Sequence, residues 1–135
     1  ERSRGLGDVY KRQEYIKDNF LIADAAMNDL LRPALYKAKH DVWNLIESEA
    51  IDQVWTIVGP VCESADVIAK DHPINADVGD ILAIKTAGAY GFVMSSNYNS
   101  RVRPAEILVD GQTFNIVRSR ESFDDLIKNE INLND

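Results

Sequence analysis

Short apolar runs separated by turn-forming residues set the pattern of this 135-residue chain. Phe20-Leu21-Ile22-Ala23 is apolar and stops at Asp24, which predicts a buried strand. Val42 to Ile46 alternates weakly, and Ile51 to Val58 is rich in the β-branched and aromatic residues that suit a pleated, half-buried surface. Asp66 to Ala69 predicts another short strand, Asn75 to Asp80 has the residues of a turn, and Ile81 to Lys85 alternates again. Ala87-Gly88-Ala89-Tyr90-Gly91 and Phe92-Val93-Met94 read as strand. Glycines on both sides of Tyr90 there imply a bulge, simple sheet curvature, or another body approaching the backbone. The sharpest local pattern is Glu106 to Val109, then Asp110-Gly111, then Thr113 to Val117, which predicts a hairpin with a primed turn.

Two segments depart from the strand rhythm. Asn28 can cap a helical turn, but Pro33 disfavours helix at Arg32, so Asn28 to Tyr36 is expected to be irregular. At the other end Ser122 can cap a helix whose first turn holds Asp124 and Asp125, where the dipole favours anions; Leu126, Ile127 and Ile131 supply its apolar face. Six or seven short strands followed by one helix predict a mainly β barrel or sandwich, α+β by content.

Composition narrows this further. Apolar content of 45% and charged content of 27% suit a globular chain, and 135 residues make one domain with a real core. A formal charge of -7 argues against a nucleic-acid or anionic-membrane surface, both of which need clustered Lys and Arg. No apolar run approaches the roughly 20 residues that span a bilayer, and the start of the chain lacks a signal-like apolar core. A single cysteine forms no intrachain disulfide and fits a reducing compartment, so a cytoplasmic protein is expected. Residues 1–14 carry Arg2, Arg4, Lys11 and Arg12 with two glycines and no period. They are expected to be a tail, with the domain occupying residues 15–135.

The candidate chemistry lies in Gly59-Pro60-Val61-Cys62-Glu63-Ser64-Ala65-Asp66. Gly-Pro ends the preceding strand and throws Cys62 and Glu63 onto a loop, where a rigid scaffold exposes reactive groups. Taken alone, a single cysteine is more often a small buried hydrophobe than a nucleophile or acid, and its neighbouring glutamate is usually a solvated charge. Arg32 is open to the reading of a surface charge, and Tyr36 to that of a half-buried core residue.

Four motifs in order change the weighting. Met27-Asn28-Asp29-Leu30-Leu31-Arg32-Pro33-Ala34-Leu35-Tyr36, the Gly59 to Asp66 loop, Ala87-Gly88-Ala89-Tyr90-Gly91-Phe92, and Ser96-Asn97-Tyr98-Asn99-Ser100-Arg101 with Arg103-Pro104-Ala105-Glu106 together resemble the C-terminal part of the diaminopimelate decarboxylase family. The resemblance runs from about Tyr15 to about Asp125. It implies a Greek-key-like C-terminal β-domain, with the family's N-terminal (β/α)8 barrel, its cofactor lysine and its phosphate-binding glycines absent from this sequence; Lys70 and Lys85 match no lysine motif for the cofactor. It also implies pyridoxal 5'-phosphate dependence, the conversion of meso-diaminopimelate to lysine and carbon dioxide, a homodimer, and inactivity without the barrel.

By the family's pattern Tyr90 touches cofactor and substrate, Arg32 and Tyr36 hold the distal carboxylate, Glu63 pairs with the distal ammonium, and Cys62 delivers the proton that replaces carbon dioxide. The Cys-Glu loop reaches across the dimer interface in that family. Arg101, Arg103, Asn97 and Tyr98 receive no role. Two other readings stay open: a related decarboxylase of ornithine, arginine or carboxynorspermidine, and a non-catalytic binding or assembly module derived from the β-domain. Cys62-Glu63-Ser64 with Arg32-Pro33-Ala34-Leu35-Tyr36 favours the diaminopimelate enzyme, because a substrate without a distal carboxylate leaves Arg32 unpaired.

Overall fold

Alternating and β-branched runs collect into three small sheets in a computed structural model that describes residues 19–46 and 53–131. The first has the order β1 (Asn19–Ile22), β3 (Gln53–Val58), β4 (Val67–Ile74), with β1 parallel and β4 antiparallel to β3. The second pairs β2 (Val42–Asn44) antiparallel with β5 (Leu82–Ile84). The third is the hairpin of β6 (Glu106–Asp110) and β7 (Thr113–Arg118), in which Gly111 takes φ 58°. The expectation of mainly β structure holds, and among the described residues the strands do not close into a barrel. The expected tail, residues 1–14, lies outside the described residues, as do Ile51 and Asp52 of the third predicted strand.

The first two sheets face one core. Val42, Ile57, Ile68 and Ile74 are buried together, with Leu21, Trp55, Leu82 and Ile84 packed on them. The His72 ring joins the two sheets by its bond to the Val42 carbonyl at 2.8 Å, and within the first sheet the Trp55 indole donates to the Ile74 carbonyl at 3.1 Å.

Four local expectations need correction. Residues 32–36 are not irregular: Arg32–Tyr36 is a short helix, α1, because Pro33 sits in its first turn, where the missing N–H is unneeded and the fixed φ suits helix. It stops at Lys37, which takes the left-handed φ of 55° and donates its N–H to the Arg32 carbonyl. The first strand exists, but Phe20 and Ile22 are exposed rather than buried. Among the described residues β1 is the sheet's edge and pairs with β3 alone, and an open apolar cavity of about 760 Å³, lined in part by Phe20, Ile22, Trp55 and Ile84, runs beside it. Residues 87–94 are not a strand. Tyr90 at φ 59° turns the backbone, and Phe92–Met94 is a 3-10 turn. The strand predicted to end near Ala69 continues to Ile74; it tolerates Pro73 because β4 is the other edge of the sheet.

The closing helix, α2 (Phe123–Ile127), has the predicted Ser122 cap, and Asp125 extends it to a capping box. The Asp125 N–H donates to the Ser122 hydroxyl, and the Asp125 carboxylate accepts from the Ser122 N–H at 2.9 Å. It is shorter than its apolar residues suggested: Ile131 lies beyond it and is exposed.

Candidate active site

The Gly59 to Asp66 loop leaves the end of β3 and returns into β4, closed by its own backbone. Gly59 N–H donates to the Asp66 carbonyl at 3.1 Å, and Asp66 N–H to the Glu63 carbonyl at 3.0 Å. Pro60 and residues 62–65 stand in solvent, so Cys62 and Glu63 are presented as the sequence predicts. At the loop's root Asp66 is 3% exposed, and its carboxylate accepts from Val61 N–H at 2.9 Å and from Met27 N–H at 2.7 Å. The second bond joins the Cys-Glu loop to the segment that leads into Arg32. Gly59 is required here: a Cβ on it would stand 2.6 Å from Asp66 Oδ1 and 2.7 Å from the Ala25 carbonyl oxygen.

Glu63 is held against its own loop. Ser64 hydroxyl donates to it at 3.1 Å, Ala65 N–H at 3.3 Å, and the Tyr98 hydroxyl reaches it at 3.5 Å. Its pKa lies below the ordinary carboxylate value, first through the Ala65 N–H and then through the Ser64 hydroxyl, so the group is an anion at neutral pH. Arg32 opens α1 at intermediate exposure and Tyr36 ends it, exposed; the Arg32 guanidinium makes no ion pair among the described residues.

The turn at residues 26–29 connects these pieces. Asn28 is 2% exposed, and its side chain accepts from Arg101 Nε at 2.8 Å and donates to Asp29 at 3.0 Å and to the Ser96 carbonyl at 3.3 Å. Ser96 N–H returns a bond to the Asn28 carbonyl at 2.9 Å. Arg101 Nη2 also donates to the Asp24 carbonyl at 2.6 Å and lies 3.6 Å from Asp29. Arg103 is paired with Glu121, whose carboxylate further accepts from Arg103 N–H at 2.8 Å and from Asn97 at 2.7 Å. The Arg103 side chain is the main reason that the pKa of Glu121 is pulled down to about 2.

Three of the four sequence motifs are thereby joined: Asn28 and Arg101 join the first to the fourth, Asp66 the first to the second, and Tyr98 the fourth to the second. Tyr90 belongs to the remaining one. It is exposed on its turn, closed by Gly91 N–H donating to the Gly88 carbonyl at 3.3 Å. No hydrogen bond or ion pair links the side chains of Arg32, Tyr36, Cys62, Glu63 and Tyr90 to one another among the described residues. Cys62 and Glu63 are placed by the loop backbone closed on Asp66, Arg32 and Tyr36 by their short helix, and Tyr90 by its turn. Sequence reasoning gave no role to Asp66, Tyr98 and Arg101, and the cap expected of Asn28 is not made: the helix follows Leu31 without a side-chain cap, while Asn28 bonds Asp29, Ser96 and Arg101. The only signal for Asp66 is its place at the end of the Gly-Pro-Val-Cys-Glu loop.

An exposed aromatic ring on a tight glycine-flanked turn suits contact with a planar cofactor, and Tyr90 fits that use. The lysines suit another. Lys70 is exposed on β4, and the Lys85 ammonium lies 4.0 Å from the centre of the Trp43 ring.

Comparison with known proteins gives a consistent picture. Residues 7–88 match the family described as "Pyridoxal-dependent decarboxylase, C-terminal sheet domain". The chain is 49% identical over 128 residues to diaminopimelate decarboxylase from Pseudomonas aeruginosa, covering 92% of this chain and 31% of that protein. It is 48% identical over 115 residues to the namesake from Archaeoglobus fulgidus, covering 83% of this chain and 27% of the other. Among solved structures, diaminopimelate decarboxylase from Helicobacter pylori in complex with L-lysine superposes with a TM-score of 0.78 at 41% identity, covering 84% of this chain and 28% of that one. A structure from Aquifex aeolicus gives a TM-score of 0.83 at 42% identity, covering 87% and 29%. The chain therefore spans under a third of the length of these relatives.

Proposed function

The chain belongs to the pyridoxal-dependent decarboxylases through their C-terminal sheet domain, and from that premise we propose that residues 15–135 form the substrate-end and proton-donating part of a diaminopimelate decarboxylase. The observation that carries this is that one turn, Ala26 to Asp29, which runs on into the Arg32 helix, is bonded to the Cys62-Glu63 loop through Asp66 and to the Ser96 to Arg101 segment through Asn28. In the complete enzyme, a cytoplasmic homodimer in this reading, meso-diaminopimelate becomes lysine and carbon dioxide. The similarity to relatives named for that reaction supports the substrate.

Each residue has work suited to its chemistry. Arg32 grips the distal carboxylate through parallel N–H bonds, with the Tyr36 hydroxyl beside it. Glu63, kept ionised by Ala65 and Ser64, pairs with the distal ammonium and selects against substrates lacking it. Bound pyridoxal phosphate supplies a sink for the electron pair left when carbon dioxide departs. Tyr90 lies against that cofactor and the substrate. Cys62 Sγ–H gives its proton to the substrate carbon that has lost its carboxylate, and solvent then reprotonates the thiolate. The exposure of Cys62 and Glu63 supports a loop that works against a second subunit. Neither Lys70 nor Lys85 occupies an enclosed site, which supports attachment of the cofactor to another part of the polypeptide.

The test uses the complete enzyme carrying this chain, obtained by joining it to the remaining part of the Pseudomonas aeruginosa relative. Lysine and carbon dioxide should form from meso-diaminopimelate in equal amounts, and Cys62→Ala should lower kcat by about a hundredfold or more, in the range of a general acid's contribution. Faster turnover of ornithine or arginine than of diaminopimelate would favour the related decarboxylases instead. Full activity of Cys62→Ala would remove the thiol from the reaction.

A further inference from the structure

Tyr90 stands in a backbone conformation that its own side chain disfavours. Its φ of 59° lies in the left-handed region, where a Cβ crowds the following carbonyl. Such a residue persists only where its surroundings over-determine it. Tyr90 is itself exposed, so the restraint comes from its neighbours in the turn. Gly91 N–H donates to the Gly88 carbonyl at 3.3 Å, and a Cβ on Gly91 would stand 2.3 Å from the Ala87 carbonyl oxygen. Beyond it the Phe92 carbonyl accepts from the Ser95 N–H at 2.9 Å and from the Ser95 hydroxyl at 2.5 Å.

The Phe92 side chain leaves this turn and meets two guanidiniums. Arg118 Cζ lies 4.3 Å and Arg103 Cζ 5.2 Å from the centre of its ring, both within reach of a cation–π contact. Each guanidinium is held by a carboxylate in turn: Arg118 by Glu106, its partner across the hairpin, and Arg103 by Glu121, with Nε 2.7 Å from Oε1. The carboxylates fix where the cations stand, and the cations fix where the ring stands. That ring is two residues from Tyr90 in sequence, so the hairpin and Glu121 hold the turn that presents Tyr90.

We infer that Phe92 is a positioning residue for cofactor binding: held by Arg103 and Arg118, its ring sets the direction in which Tyr90 meets pyridoxal phosphate. This rests on the proposed contact of Tyr90 with the cofactor. The whole linkage lies within one chain, so it acts alike whichever subunit's cofactor Tyr90 meets. A turn released from this anchor can relax toward ordinary backbone angles and carry Tyr90 away. Ordering it again on binding then costs affinity.

Phe92→Leu is the direct probe, because it removes the ring face and keeps an apolar side chain. In the complete enzyme the measured quantity is the dissociation constant of pyridoxal phosphate, obtained by adding it to cofactor-free protein and following the visible absorption of the bound form. Thermal melts show that each variant is folded at the assay temperature. Each cation–π contact carries a factor of about two to five, so loss of the ring should raise the constant about fivefold. Phe92→Tyr, which keeps the ring, should retain the parental value. In a Tyr90→Ala background Phe92→Leu should raise the constant no further, because no ring remains to be aimed.

Arg118→Gln provides a second route if Phe92→Leu does not accumulate as folded protein. It removes one of the two cations from an exposed pair, and should raise the constant about twofold. Suppose Tyr90→Ala weakens binding. An unchanged constant in folded Phe92→Leu or Arg118→Gln, or a Phe92→Leu effect that persists in full without Tyr90, then overturns the positioning role and leaves the Tyr90 contact standing. An unchanged constant in Tyr90→Ala itself overturns that contact, and the inference with it.

Discussion

Replacing Asn28 with alanine tests whether the buried turn organises the site. The substitution removes three side-chain bonds: from Arg101 Nε at 2.8 Å, to Asp29 at 3.0 Å, and to the Ser96 carbonyl at 3.3 Å. Two involve charged partners, which on burial are worth about 1.5–3 kcal/mol each. Those partners are part-exposed, Arg101 at 32% and Asp29 at 18% of the side chain, so water recovers some of the loss. Taking about 1 kcal/mol for each charged bond and about half that for the long one gives a total near 2–3 kcal/mol. Trp43 and Trp55 are the only tryptophans in the chain, so their fluorescence reports its unfolding in urea. With a slope of about 1.5 kcal/mol/M, the midpoint should fall by about 1–2 M while the slope stays constant. Arg101→Ala should also destabilise, and the double variant should cost less than the sum of the two by about 1 kcal/mol, because they share a bond. A loss below about 0.5 kcal/mol for Asn28→Ala, or strict additivity with Arg101→Ala, would refute the view that these groups form one network.

Two further outcomes follow from the same geometry. The folded-state pKa of Glu121 is depressed, from its ordinary value of 4.5 to about 2, so its stabilisation is present above about 4.5 and is lost as pH falls toward 2. Because the pair is partly exposed, the contribution is on the order of 1 kcal/mol; Glu121→Gln should abolish that part of the acid dependence in thermal melts, and an identical pH profile would count against the pair. The 135-residue chain alone should neither retain pyridoxal phosphate after dialysis nor release carbon dioxide from diaminopimelate. A retained visible absorption band, with cofactor fixed by borohydride on Lys70 or Lys85, would show that this chain attaches the cofactor itself.

Local chemistry was the most legible part of the chain. Asp110-Gly111 defined its hairpin because a positive φ at the turn has few residue solutions, and Ser122 ahead of Asp124 and Asp125 defined its helix start because a cap and first-turn anions are a contiguous pattern. Tertiary context was not legible. Pro33 breaks a helix in mid-run but starts one in its first turn, and which applies depends on where the chain enters. Residues 87–94 have the composition of a strand, yet Tyr90 in the left-handed region turns them out of any sheet. The outward members of the site, Cys62 and Glu63, were legible from the loop motif. The groups beneath them were not, because Asn28, Asp66 and Arg101 act through partners 39 to 77 residues distant.

The reading of this chain as the part that recognises the distal end of diaminopimelate is tested most directly at Arg32. In the complete enzyme, kcat/KM should be measured for meso-diaminopimelate and for D-lysine, which offers the same reacting end and a distal ammonium but no distal carboxylate, in the parent and in Arg32→Leu. Removing a bidentate, charge-assisted grip should lower the value for diaminopimelate by about a hundredfold while changing that for D-lysine little. Equal loss on both substrates, or no loss on diaminopimelate, would contradict the assignment.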